Sequence, residues 1–293
     1  MKKFAILVDT VSSVGSNGNP EIEDTFVLPL GLTTPSGENV PDATSKITVE
    51  QILESASKKQ YYKTSTTKPK LFFDKVDELL KDYEKVIYLA ISSQLSSQFM
   101  HISQVVATDD KYKDKVWVVD TLSAGVAIEK MVYDIKELID NNHKIDYRTL
   151  QKIVAQENNK CLQYIICKNL LGVQEGGRID HLIIKGLAML SRVPIILFDQ
   201  KNTLKATESN YDKAVKKIIV WAHKRAKKDN SAVTSCTVVY TGENTKKLVQ
   251  AYAQVISGAF NIPLNQIEYR HIMYPVLVHT LFDTMCFYFG FSK

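Results

Sequence analysis

Three short apolar runs, residues 4–8, 86–91 and 116–119, each break off at Asp, Ser or Thr and give way to a segment with helical spacing. Strands alternating with helices build a parallel sheet, because each crossover returns the chain to the starting edge and does so right-handed. The strand ends then share one edge. They carry Asp9-Thr-Val-Ser12-Ser13, Ser92-Ser93-Gln-Leu-Ser96-Ser97 and Asp120-Thr121-Leu-Ser123, and a fourth hydroxyl-rich turn, Thr64-Ser65-Thr66-Thr67, precedes Pro69. A single Ser or Thr before a helix is an ordinary cap. Four such turns converging on one edge point to a ligand site, since ligands of open α/β sheets sit at the carboxyl ends of strands, where the next helix presents unpaired backbone N–H groups.

The remaining pattern predicts a strand over residues 25–32, with Pro29 marking an edge or bulge. Residues 14–24 and 31–46 read as loops, and helices are expected over 48–57 with Thr48 as cap, 70–82 opened by Pro69, 124–141 and 147–156. A strand over 161–167 and a short helix over 168–174 lead to Gly176-Gly177. With the boundary near residue 160, the chain divides into an N-terminal α/β domain, 1–160, and a C-terminal α/β domain, 161–293. The second half continues as helix 181–190, strand 193–198, a turn at Asp199-Gln-Lys-Asn202, a short strand to Ala206, helix 211–228, strand 232–240, helix 244–257 and strand 265–271. Residues 274–291 hold two apolar runs around His279-Thr280 and are expected to pair within a sheet.

At 293 residues, 45% hydrophobic and 24% charged, the chain can bury a sizeable core. Its net charge of +5 permits an anionic ligand or acidic partner without arguing for nucleic acid. The charge concentrates on helix 211–228, where Lys213, Lys216, Lys217, Lys224, Arg225, Lys227 and Lys228 alternate with Val215, Ile218, Ile219 and Ala222. That is an amphipathic helix with a solvated basic face, and no nucleic-acid module accompanies it. Cys161, Cys167, Cys236 and Cys286 lack a Cys-x-x-Cys pair or zinc spacing and read as buried free thiols. Histidines 101, 143, 181, 223, 271 and 279 are scattered, so no metal site is expected. The amino-terminal apolar run is too short for a signal peptide and ends at an acid, and no run of about 18 apolar residues occurs, so a cytoplasmic protein is expected. No Gly-x-Gly-x-x-Gly, Walker, His-Glu-x-x-His or Gly-x-Ser-x-Gly motif is present, which argues against nucleotide-binding, zinc-protease and α/β-hydrolase chemistry.

Seven motifs in register carry a family resemblance: Ile6-Leu-Val-Asp9-Thr-Val-Ser12, Thr64-Ser65 with Pro69, Ile91-Ser-Ser-Gln-Leu-Ser-Ser97, Val119-Asp120-Thr-Leu-Ser-Ala124, Glu175-Gly-Gly-Arg178-Ile, Val193-Pro-Ile-Ile-Leu197 and Pro275-Val-Leu-Val-His279-Thr280. In this order they resemble the DegV family, bacterial fatty-acid-binding proteins that include the binding subunit of fatty acid kinase. The resemblance implies a two-domain α/β fold with a lipid site between the domains. One long-chain fatty acid is held there, its carboxylate at the hydroxyl turns and its tail in a closed apolar tunnel. It implies Thr64 and Ser93 as head-group hydroxyls with His279 in the same network, Ser65, Ser92, Ser96 and Thr280 as neighbours, and Arg178 as partner contact or structural anchor. The protein would then be a carrier without a cofactor, not an enzyme, its partner the ATP-binding subunit of a fatty acid kinase. Transient contact with a membrane surface is compatible with this.

The chain departs from the family pattern at its glycines. Where the family has Ser-Gly-Leu-Ser-Gly-Thr, this chain has Ser93-Gln94-Leu95-Ser96-Ser97-Gln98, and where the family has His-Thr-Gly-Pro-Gly it has His279-Thr280-Leu281-Phe282-Asp283. Two other readings stay open. One is an enzyme using Asp9 or Asp120 as acid/base, Ser93 as nucleophile and His279 as base; the other is an interaction module using the basic helix.

Overall fold

The parallel sheet forms as its apolar runs dictate. The computed structural model describes residues 2–15, 17–42, 47–167 and 192–292. The helices expected over 168–174 and 181–190, together with Gly176-Gly177 and Arg178, lie outside these. The chain divides into a first unit of Met1–Ile47, Thr64–Asn159 and Met273–Pro275, and a second of Thr48–Lys63, Lys160–Ile272 and Val276–Lys293.

In the first unit, β1 (Lys2–Asp9), β2 (Thr25–Leu28), β6 (Tyr83–Ala90) and β7 (Val116–Asp120) form a parallel sheet in the order β2-β1-β6-β7. The two central strands are buried continuously from Phe4 to Asp9 and from Val86 to Ala90. A parallel sheet covered on both faces requires that, which explains why these runs do not alternate with polar residues. Helices α2 (Pro69–Leu79), α3 (Gln98–Ala107), α4 (Val126–Asp140) and α5 (Tyr147–Lys160) follow, α2 with Pro69 in its first turn. Phe72 and Val76 of α2 and Ile102 and Val106 of α3 share one core cluster with Leu7, Tyr88 and Ala90 of the sheet. Met273 belongs to this unit too, and the Ser13 hydroxyl meets its Sδ at 3.7 Å.

Two expectations are corrected here. Among the described residues no helix follows β1 directly; residues 10–15 and 17–24 hold turns and bends before β2, which pairs parallel at the edge of the sheet. Pro29 divides the run over 25–32, so that β2 stops at Leu28 and β3 (Gly31–Thr33) begins a separate sheet. That sheet, ordered β4-β3-β5, includes β4 (Asn39–Pro41), where the sequence reads as loop, and β5 (Lys63–Ser65), where it reads as a hydroxyl-rich turn. Strands of three residues rich in Thr, Asn and Gly leave no periodic signal to detect.

The second unit holds helix α1 (Val49–Ser57), capped as expected by Thr48, whose Oγ1 accepts the Gln51 N–H while the Thr48 N–H donates to Gln51 Oε1. Its sheet is six-stranded and mixed, β10-β9-β8-β13-β11-β12, from β8 (Cys161–Ile166), β9 (Val193–Asp199), β10 (Lys201–Glu208), β11 (Val233–Tyr240), β12 (Glu268–His271) and β13 (Met285–Phe291). Helices α6 (Tyr211–Lys228) and α7 (Glu243–Phe260) bury Val215, Ile218, Val249 and Ile256 against Tyr164, Phe287 and Phe289. The basic side of α6 faces out, with Lys213, Lys216, Lys224 and Lys227 exposed and Lys217 paired to Glu208 at 2.6 Å. Only the second of the two terminal apolar runs pairs in the sheet, as β13 between β8 and β11. The first is helix α8 (Tyr274–Thr280). The four cysteines, all among the described residues, form no disulfide, and burial pushes the Cys167 and Cys286 thiols up to about 12, so neither is a thiolate at neutral pH.

Candidate functional site

The turn after β6 is pinned from the strands on either side. Asp9, at the end of β1, accepts the Ile91 N–H on Oδ2 at 2.8 Å and the Val11 N–H on Oδ1 at 3.2 Å. Asp120, at the end of β7, accepts the N–H groups of Ser93 and Leu122 on Oδ1 at 3.1 and 3.0 Å. Within the turn, Ser92 Oγ takes the Gln94 N–H, Ser92 O takes those of Leu95 and Ser96, and Ser96 Oγ takes that of Gln98. The Ser92 N–H donates to Ser123 O at 2.9 Å. The amides of residues 91–96 and of Gln98 are therefore all paired, to the Asp9 and Asp120 carboxylates, to backbone carbonyls or to the Ser92 and Ser96 hydroxyls. What the turn offers instead is the Ser93 hydroxyl, half-buried and without a hydrogen bond to any described residue.

The second hydroxyl turn begins in β5. Adjacent strand residues face opposite sides, so Thr64 and Ser65 point apart. Ser65 Oγ accepts from Asn39 Nδ2 at 2.9 Å and lies over Gly31, where a Cβ would come within 2.2 Å of it. Ser65 is thus engaged within its own sheet. Thr66 Oγ1 stands 3.4 Å from His101 Nδ1, and the Thr67 N–H donates to Gln98 Oε1 at 2.9 Å, so both lead from this turn to the first turn of α3.

Of the other candidates, His279 lies half-buried in the last turn of α8, and the Thr280 hydroxyl donates to Val276 O within that helix at 2.9 Å. Both belong to the second unit, whereas Thr64, Ser65, Ser92, Ser93 and Ser96 belong to the first. No group of three or more His, Cys, Asp or Glu among the described residues could hold a metal ion.

Three buried residues of this region escaped the sequence reading: Asp42, Tyr88 and Gln98, each 0% exposed. Asp42 accepts from Thr10 Oγ1 at 2.5 Å. Burial, with the nearby Asp9 charge adding to it, raises its carboxyl to about 7 despite that bond. Burial likewise raises Asp9 to about 6, against the bonds from Ile91, Val11 and Tyr88 that favour its ionised form. Tyr88 is pushed well above the usual phenol range by burial and by Asp9. Asp42 fell in a stretch read as loop, and Gln98 was visible only as a departure from a motif. A shallow concavity of about 40 Å³ beside Pro29, Gly31, Thr66 and Lys68 is far smaller than the roughly 300–1,000 Å³ of ordinary small-molecule pockets.

A parallel α/β unit with hydroxyl-rich strand ends, together with a mixed-sheet α/β unit, defines a two-unit α/β protein. The chain belongs to the DegV family: residues 3–288 match the family model, described as "Uncharacterised protein, DegV family". One relative, DegV domain-containing protein UU535 of Ureaplasma parvum serovar 3, is 28% identical over 218 residues, 74% of this chain and 71% of that protein. A fatty-acid-binding DegV family protein from Thermus thermophilus superposes with a TM-score of 0.82 at 19% identity, over 98% of this chain and 99% of that one. The Streptococcus pneumoniae fatty acid kinase B3 protein, loaded with linoleic acid, gives 0.79 at 15% identity, over 99% and 100%. The resemblance carried by the seven motifs is borne out, and so is the α/β fold with its parallel N-terminal sheet. Among the described residues, no helix is long and apolar enough to cross a membrane.

Proposed function

We propose that the chain is a carrier that binds one long-chain fatty acid, its carboxylate hydrogen-bonded by the hydroxyls of Thr64 and Ser93 and by His279. A buried carboxylate needs several converging donors, and charge-assisted hydrogen bonds from hydroxyls meet that need. The observation that carries the reading is Ser93: its backbone is held by Asp120, its neighbour Ile91 by Asp9, and its hydroxyl is left without a partner among the described residues. Burying an acyl tail contributes about 0.8 kcal/mol per methylene, so the tail supplies affinity and the hydroxyls orientation.

On this reading the carboxylate is presented to a separate ATP-dependent kinase, which transfers the γ-phosphoryl group to it, giving an acyl phosphate and ADP. The likeness to the kinase B3 protein supports this step, and Arg178 is the residue proposed to meet the partner. The engagement of both Asp9 oxygens with backbone N–H groups favours a carrier over the alternative in which Asp9 acts as acid or base.

Native mass spectrometry of gently purified protein, before and after incubation with palmitic acid, tests the reading. A single lipid-sized adduct is expected, reduced in Thr64→Ala and Ser93→Ala but not in Lys216→Ala on the exposed face of α6. No adduct in the wild type, or equal retention in all three variants, would overturn it.

A further inference from the structure

We propose that Gln98 is a positioning residue: its amide locks the turn that carries Thr64 to the turn that carries Ser93 and so sets the spacing of the two head-group hydroxyls. The inference rests on the carrier reading above. Gln98 is fully buried at the start of α3. Its Oε1 accepts the Thr67 N–H at 2.9 Å, and its Nε2 donates to Thr67 Oγ1 at 3.1 Å and to Tyr88 Oη at 2.9 Å. Thr67 passes the connection on, donating from Oγ1 to Pro29 O at 2.8 Å. In the other direction, Tyr88 Oη donates to Asp9 Oδ2 at 3.4 Å, and that same oxygen holds the Ile91 N–H two residues before Ser93.

The chemistry of the amide suits this junction. It must accept from a backbone N–H and donate twice, once to a hydroxyl already donating elsewhere and once to a phenol that donates onward to a carboxylate. A carboxylate in its place accepts only, so it would compete with Asp9 for the Tyr88 proton. A threonine is too short to reach both partners. The glutamine side chain therefore bridges two turns that a shorter residue would leave unconnected.

The test compares Gln98→Leu and Gln98→Glu with wild type, using palmitic acid labelled with ¹³C at the carboxyl carbon. Two readouts are taken: the dissociation constant, and the carboxyl chemical shift of the bound lipid, which a role in folding alone would not move in protein that remains folded and loaded. Gln98→Leu is expected to weaken binding by about tenfold or more, the scale of one or two lost hydrogen bonds, and to shift the carboxyl resonance at every pH. Gln98→Glu is expected to behave like Gln98→Leu near pH 8 and to recover part of the wild-type affinity as the new carboxyl takes up a proton, when its C=O accepts the Thr67 N–H and its O–H makes one of the amide's two donated bonds. The titratable groups around residue 98 are Tyr88 and Asp9, with Asp42 beyond Asp9 and His101 one turn along α3. Gln98→Leu retains all of them, so its pH profile subtracts their contribution. If wild type binds palmitate while both variants keep its affinity within about twofold and its carboxyl shift, the positioning role is overturned and the carrier reading stands. If wild type takes up no palmitate, the carrier reading itself fails.

Discussion

One carboxylate oxygen of Asp120 accepts the backbone N–H groups of both Ser93 and Leu122, at 3.1 and 3.0 Å. It thereby ties the end of β7 to the turn after β6, and the Ser93 hydroxyl is held by a backbone bond rather than by its own side chain. Asp120→Ala is expected to weaken palmitate binding by about tenfold while lowering stability by only about 1–2 kcal/mol, because water can reach the half-buried amides. Isothermal binding and thermal unfolding, run side by side, separate the two. A loss of stability without loss of binding would show that the turn keeps its shape unaided.

Asp42 gives a stability change of unusual sign. Its carboxyl sits near 7 in the folded chain and Asp9 near 6, both above the value of about 4 expected in an unfolded chain. The folded state thus holds protons that the unfolded state has released, and these two groups make stability fall as pH rises from about 4 to 7. Asp42→Asn keeps an acceptor for Thr10 and removes the buried charge. It is expected to be more stable than wild type at pH 8, by an amount on the order of 2–4 kcal/mol read from thermal unfolding, and to lose most of that advantage by about pH 4. A difference independent of pH between the two proteins would refute the assignment.

Gly31 and Ser65 should be energetically coupled. A methyl group at residue 31 would collide with Ser65 Oγ, which Asn39 holds in place. Gly31→Ala is expected to cost about 1–3 kcal/mol, and Ser65→Ala in the same chain to return part of it. A double-mutant cycle by urea unfolding measures the coupling; strict additivity would mean the strand moves aside instead.

Much of this architecture is legible without coordinates. The buried strands β1, β6 and β7 announce themselves as apolar runs closed by Asp or Ser, and Thr48 and Pro69 mark their helices because capping is a local matter. Elements whose stability is tertiary are not visible: β3 and β4 have no pattern, and an apolar run before His279 fits a buried helix as well as a strand. The same division holds in the candidate site. Ser93 is apparent from its neighbours in sequence, whereas Gln98 acquires meaning only once folding brings Thr67 and Tyr88 to it.

Methyl palmitate offers a probe of charge. If Thr64 and Ser93 act on a carboxylate, the loss of affinity caused by Ser93→Ala should shrink for the ester, which carries no charge and makes weaker hydrogen bonds. Equal losses for acid and ester, read by competition binding, would mean that Ser93 contributes shape and not a charge-assisted bond.

The membership of Met273 in the first unit has a consequence for biosynthesis. A ribosome releases Ser13 near the start of translation and the methionine whose sulfur it meets some 260 residues later, so the first unit cannot be completed until Met273 has emerged. A fragment ending near residue 160 would leave Ser13 without that thioether. Limited proteolysis of stalled nascent chains should show the amino-terminal segments resisting cleavage fully only once residues beyond 275 have emerged.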